Sequence, residues 1–194
     1  FYNISIKKIL LIFLITLITI SPYLIRNIII FKTVTITKTT GYNLWKGNHP
    51  DAKGVEGSEV IDDNLRKQID KIPKDKFYRI NEDKIFLNQA IKYIKQEPQR
   101  YLALYLKKIA SFLFIDIDSS EPHYYNPLHY IPVLLLAITS LIGIILSNKK
   151  SYQLNYLILI FFFYIILFSA FAILPRYKLS IIPLQIIFTS ILVD

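Results

Sequence analysis

Two stretches of this sequence gather side chains able to do chemistry. "DIDSSEPHYYNPLHY", Asp116 to Tyr130, holds Asp116, Asp118 and Glu121 beside His123, His129 and three tyrosines. Carboxylates and imidazoles at that density can trade protons with a reacting group, or hydrogen-bond a sugar or phosphate. The same residues also suit a polar loop whose tyrosines sit in an interfacial belt. "PRYK", Pro175 to Lys178, sets Arg176 and Lys178 on either side of Tyr177. A guanidinium there can hold a phosphate through two parallel hydrogen bonds, or anchor a helix end at a headgroup layer. Other chemistries lack their residues. His49, His123 and His129 are not spaced as metal ligands, so no metal site is expected. With no cysteine in the chain, disulfides and thiolate sites are excluded. "DID" is a weak match to the carboxylate pair that holds a metal on a nucleotide sugar, and a location outside the cytoplasm argues against that donor. There is no glycine-rich phosphate loop and no nucleophile elbow, and no cofactor is expected.

The elements that must position these residues are read from hydropathy. The chain is 194 residues long and 53% hydrophobic, yet 13 of its 14 acidic residues lie between Asp51 and Glu121. This describes a membrane protein with one polar insert. Uncharged apolar runs at Ile9–Ile25, Tyr130–Leu146, Leu154–Leu174 and Leu179–Val193 approach the length of about 20 residues that a spanning helix needs. The third is the strongest, with 15 Ile, Leu and Phe residues, each favouring insertion by roughly 0.3–0.6 kcal/mol. The last is short and carries Pro183. The expected fold is therefore mainly α: a transmembrane helix in 1–25, an extracytoplasmic insert over 26–129, and three transmembrane helices in 130–194. Lys7/Lys8 and Lys149/Lys150 flank short connections and should be cytoplasmic, which puts the insert and the "PRYK" turn outside. The formal charge of +9 follows from these flanks and a lysine-rich insert. No nucleic-acid groove is needed to explain it. No acid or base falls within a span, so no ion-coupling relay is visible.

Within the insert, "TVTITKTT" (33–40) reads as a short strand or extended arm. "GYNLWKGNHPDAKG" (41–54) reads as a loop around the only tryptophan, Trp45. Residues 58–72 form a helix with Ser58 as N-cap, Pro73 as stop, and Val60, Ile61, Leu65, Ile69 and Ile72 on one face. A second helix opens at Asn81 and carries Ile85, Phe86, Ala90, Tyr93 and Ile94 as its stripe. Pro98 starts a third, over about 98–115, apolar nearly all round except Arg100, Lys107 and Lys108. It is expected to lie on the outer leaflet with its lysines at the headgroups, or else to be a core helix of the insert.

In order, "SPYLIRN", "GYNLWKGNHPDAKG", "AIKYIKQEPQRYLALYLKKIASF" and "PRYKLSIIPL" resemble the carboxy-terminal half of bacterial membrane glycosyltransferases of the GT-C superfamily. These are the ones related to protein O-mannosyltransferases and the lipid A aminoarabinose transferase. The resemblance spans essentially the whole chain. It implies an enzyme of the bacterial inner membrane that moves a sugar from a polyprenyl-phosphate carrier to a lipid, glycan or protein acceptor outside the cytoplasm. The family's catalytic Asp lies in an early extracytoplasmic loop with no counterpart here. No residue of this chain inherits that role, and the absence of any methionine fits a piece whose beginning lies upstream. The resemblance puts Arg176 and Tyr177 near the carrier phosphate, with Lys178 beside them. It puts Tyr42, Asn43, Trp45, Gly47, Asn48 and Pro50 in an identifying element of the outer domain, where the family's usual Asn is replaced by His49. Tyr42 and Trp45 could stack on a sugar, and Asn48 and His123 complete the candidate set. The alternative is a non-enzymatic membrane protein whose outer helices regulate polysaccharide assembly.

Overall fold

The computed structural model describes residues 6–52, 57–116, 119, 125–147, 151–173 and 175–192. Among these the chain is mainly helical and has no strand. Three helices are long and apolar enough to cross a membrane: α1 (Ile6–Phe31), α6 (Pro127–Leu146) and α7 (Tyr152–Ser169). Between α1 and α6 lie α2 (Thr40–Gly47), α3 (Asp63–Asp70), α4 (Tyr78–Gln96) and α5 (Pro98–Leu113). After α7 come the short α8 (Pro175–Lys178) and α9 (Ile182–Ser190).

α1 is longer than the apolar run that announced it, because it continues through Pro22 and Arg26 to Phe31. Proline leaves the carbonyl four residues earlier without its helical donor. In α1 that carbonyl belongs to Ile18, and the Ser21 hydroxyl donates to it at 2.8 Å. Thr16 and Thr19 donate to Ile12 and Ile15 in the same way, at 2.9 and 2.8 Å. A hydrocarbon-compatible helix needs this internal accounting of its polar groups. Most of its apolar side chains from Leu10 to Ile29 are exposed, as suits a lipid-facing surface.

The chain does not then form a strand. Residues 33–39 are irregular and fold back over the end of α1, where Asn27 donates to the Thr35 carbonyl at 2.7 Å and the Lys38 ammonium sits 3.5 Å above the Phe31 ring. An alternating β-branched run needs a neighbouring strand for its backbone groups, and the folded arm meets helix ends instead. The reading of 41–54 as a loop is also corrected, since Thr40–Gly47 is helical. Asp62, not Ser58, caps α3 by accepting from the Leu65 amide at 2.6 Å. Ser58 accepts from the Val60 amide at 3.2 Å, which is a local turn. α4 starts three residues before Asn81, so Asn81 lies inside it. The apolar stripes are as read except for Val60, which lies before α3 and is exposed. Trp45, Leu65, Ile69, Ile72, Phe86 and Ala90 form one buried cluster that joins α2, α3 and α4.

α5 begins at Pro98 as expected, with its imino nitrogen where no helical donor is needed. Its placement differs from a helix lying free at a surface. Lys108 is fully buried, and Phe112 joins Phe161, Ile165, Ile173, Ile181 and Phe188 in a second core that ties α5 to α7 and α9. The reason is helical phase. Tyr101, Leu104, Lys108 and Ser111 recur at three- and four-residue steps on the buried face.

The fourth expected span is helical over nine residues only, with Pro183 in its first turn. That is about 14 Å at 1.5 Å per residue, well short of the roughly 30 Å hydrocarbon thickness. α9 packs closely on α6 along Ala137, Ser140 and Gly143, all buried. Thr139 and Thr189 hydroxyls meet across the pair at 3.0 Å. Small residues let membrane helices approach to backbone contact. A Cβ on Gly143 would fall 1.9 Å from the Phe188 carbonyl oxygen. Gly143→Val should therefore cost about 1–3 kcal/mol, seen as a fall of several degrees in melting temperature in detergent. An unchanged melt would break this account of the α6–α9 contact.

Candidate functional site

α2 forms because other parts of the chain satisfy its ends. Its own cap residue, Thr39, makes no side-chain capping bond. Asp83, reaching from α4, accepts from the Tyr42 amide at 2.8 Å in its place, and its charge suits the positive end of the helix dipole. Gly41 makes this possible, since a Cβ there would lie 2.1 Å from the Asp83 carbonyl oxygen. No local pattern in residues 41–54 announces a cap supplied from 41 positions away, and this is why the stretch reads as a loop.

The other end of α2 meets the end of α7. The Asn48 side-chain amide donates to Leu44 O at 2.8 Å and to Ala170 O at 2.9 Å. The Ala172 amide donates to Asn43 O at 3.2 Å. Gly47 lies flat against this segment, where a Cβ would be 2.3 Å from the Ala172 nitrogen. From the third side α5 contributes Lys108, whose ammonium lies 3.4 Å from Asn48 Oδ1. Burial alone pushes the Lys108 amine down to about 7.

Trp45 is fully buried. Its ring lies 4.7 Å from Phe86, 5.1 Å from His49 and 5.8 Å from Tyr42, centroid to centroid. The indole thus packs the core of the intervening helices and presents no face to a ligand. His49 stands edge-on to Trp45 and Tyr93, and its Nδ1 accepts from the Asp51 amide at 3.0 Å. Burial lowers its pKa, outweighing the opposing pull of Asp51 and Asp62. Tyr42 is half-buried and borders a groove of about 470 Å³ with Lys38, Thr39, Arg79, Glu82 and Phe86. Burial raises its phenol pKa, and the nearby Glu59 adds to the shift.

The "PRYK" residues form α8 and pack on α5 and α7. Tyr177 stacks on Phe168 with centroids 5.0 Å apart, and Phe168 also stacks on Phe112 at 6.0 Å. Lys178 donates to the Phe114 carbonyl at 2.9 Å, which caps the C-terminal end of α5. Burial pushes its amine down to about 8, with Asp116 opposing that shift. Arg176 lies within α8, and its side chain is outside the described residues, as are Asp118, Glu121 and His123. Among the described residues no three His, Cys, Asp or Glu side chains are grouped to hold a metal.

The structure thus separates the candidates. Asn48 belongs to a junction of α2, α5 and α7, Tyr177 and Lys178 to the end of α5, Tyr42 to the groove, and Trp45 to the core. Lys108 and Asp116 gain roles that local reading missed. The phase of α5 carried the signal for Lys108, because it falls on the stripe of Tyr101 and Leu104. Comparisons with protein-family models, with curated proteins and with solved structures find no match.

Trp45, as the only tryptophan, reports on this region by its fluorescence. Asp83→Ala removes the cap of α2 and should lower stability by about 0.5–2 kcal/mol. That would appear as a lower denaturant midpoint for the change in Trp45 emission. A midpoint equal to wild type would show that α2 does not depend on Asp83.

Proposed function

We propose that this chain is the carboxy-terminal half of a GT-C membrane glycosyltransferase of the bacterial inner membrane. It moves a sugar from a polyprenyl-phosphate carrier to an acceptor on the extracytoplasmic side. The ordered series of motifs supports this reading, and one observation carries it further. The two most telling motifs, "GYNLWKGN" and "PRYK", are more than a hundred residues apart, yet both pack on the same end of α7. Asn48 bonds Ala170, and Tyr177 stacks on Phe168. A lipid carrier with its phosphate at the membrane surface would meet cationic side chains at that end.

On this reading the chemistry breaks the bond between the anomeric carbon and the carrier phosphate. Negative charge develops on the phosphate oxygens, and fixed cations stabilise it more in the transition state than in the ground state. Arg176 supplies a guanidinium for two parallel bonds, and Lys178 a second positive charge. Lys178 is charged below about 8 and loses its proton as pH rises through that value, so its contribution fades on the alkaline side. The base that activates the acceptor is an Asp in the upstream sequence. On this reading 26–129 lies outside the cytoplasm, and 179–193 packs on α6 as a fourth membrane segment whose regular helix, Ile182–Ser190, is shorter than a full crossing.

In membranes containing the full-length enzyme, transfer from a panel of polyprenyl-phosphate sugars is the direct test. Arg176→Ala should lower turnover by about 10²–10³-fold while protein abundance stays near wild type. Equal turnover would remove Arg176 from the mechanism. An absence of transfer from every donor, with altered polysaccharide length in cells, would favour a regulatory protein instead.

Orientation is tested separately, because the chain has no native cysteine. Lys71→Cys should react with a membrane-impermeant maleimide in intact cells, and Ser151→Cys only after permeabilisation. The reverse pattern would invert the topology.

A further inference from the structure

Lys108 sits where three separate elements meet, and no carboxylate among the described residues pairs with it there. The side chain is fully buried. Among the described residues its one hydrogen-bond partner is Asn48 Oδ1 at 3.4 Å, a long contact for an ammonium that can donate three bonds. The hydroxyl of Ser169, one residue before the Ala170 that Asn48 bonds, is also fully buried and has no partner among the described residues. Gly47 and Ala172 close the space by backbone contact. Among the described residues this tight junction offers a charged amine no counter-ion, and a buried unpaired charge is costly. An uncharged amine fits the same space.

We propose that the α2–α5–α7 junction is a proton-operated catch. With Lys108 as a neutral amine it closes and seats α2 on the end of α7, and proton uptake by Lys108 opens it.

The ionisable groups around the junction leave Lys108 as its sensor. Lys46 on α2 is paired with Glu59, and His49, just beyond Asn48, is held neutral by burial with Nδ1 bonded to Asp51 N. On α7 the nearest is Tyr164, stacked on Phe168. α5 itself contributes Lys107 and Tyr105, whose hydroxyl donates to Ile166 O at 2.9 Å. α8 brings Lys178. None of these acts on Lys108, whose amine is lowered by burial alone, to about 7 from 10.5. The sign follows from proton counting. When the junction opens, Lys108 regains its ordinary pKa, so between about 7 and 10.5 the open state binds more protons than the closed one. Closure therefore strengthens as pH rises through that window, and levels off below about 7, where both states are protonated.

The Ala172 amide reports closure directly, because it donates to Asn43 across the junction. Hydrogen exchange of the full chain in nanodiscs, corrected for the intrinsic rate, should show its protection rising about tenfold per pH unit above neutrality. Lys108→Met should make protection independent of pH and no lower than wild type at neutral pH. Lys178→Met, which removes the other amine titrating in this range, should keep the wild-type slope. If Lys108→Met does not fold, Lys108→Gln serves as the uncharged variant with the same expectation. A flat wild-type profile, a slope that survives in the uncharged variant, or a slope lost with Lys178 would each overturn the catch. None of these readouts depends on glycosyl transfer, so the catch and the proposed activity stand or fall apart.

Discussion

The arrangement of this chain depends on one contact, the docking of the C-terminal end of α2 on the last residues of α7. It is built from three backbone-level features: a glycine with no room for a Cβ, an amide-to-carbonyl bond from Ala172 to Asn43, and the Asn48 side chain bridging Leu44 and Ala170. Each bond is worth only about 1 kcal/mol net. Their effect lies in geometry, because they join a polar helical cluster to an apolar core that would otherwise share only α5. Once α2 is seated, Trp45 is enclosed and α3 and α4 have a core to close over. The Lys108 amine is then shut away from water.

α5 is the second half of this link. One end of its buried face meets Ala52 through Tyr101 and Leu104, and the other end inserts Phe112 among Phe161 and Phe188. Two cationic side chains lie at this crossing away from water, Lys108 on α5 and Lys178 on α8, and each needs a polar partner there. Lys178 solves this by bonding a helix-terminal carbonyl, with Asp116 nearby. Lys108 meets the same demand with a single weak partner, and this contrast makes its protonation consequential.

Much of the architecture was legible in residue order. The apolar runs at 9–25, 130–146 and 154–174 became α1, α6 and α7, with α6 ending at Leu146 as read and the other ends shifted. Pro98 marked the start of α5, and the stripes of α3 and α4 marked their buried faces. Legibility failed where a partner distant in sequence decides the outcome. Thr40–Gly47 is helical because Asp83 caps it, and 33–39 is irregular because it folds onto Asn27 and Phe31. The run from Leu179 passed for a spanning segment by composition, yet only Ile182–Ser190 is helical, packed on a small-residue stripe of α6.

The sequence by itself determined which segments are apolar enough to leave water, which faces of the helices are buried, and which residues could bind a phosphate. Those are properties of composition and of periods of a few residues, set by transfer free energy and helix geometry. Tertiary structure alone decided that Trp45 is core, that Tyr42 borders a groove, and that Asn48 and Lys108 meet. Such facts depend on residues 41 to 122 positions apart arriving at one place. A local period can mark a buried face, but which distant residue a side chain meets there is assigned by three-dimensional neighbours, and no local pattern carries that information.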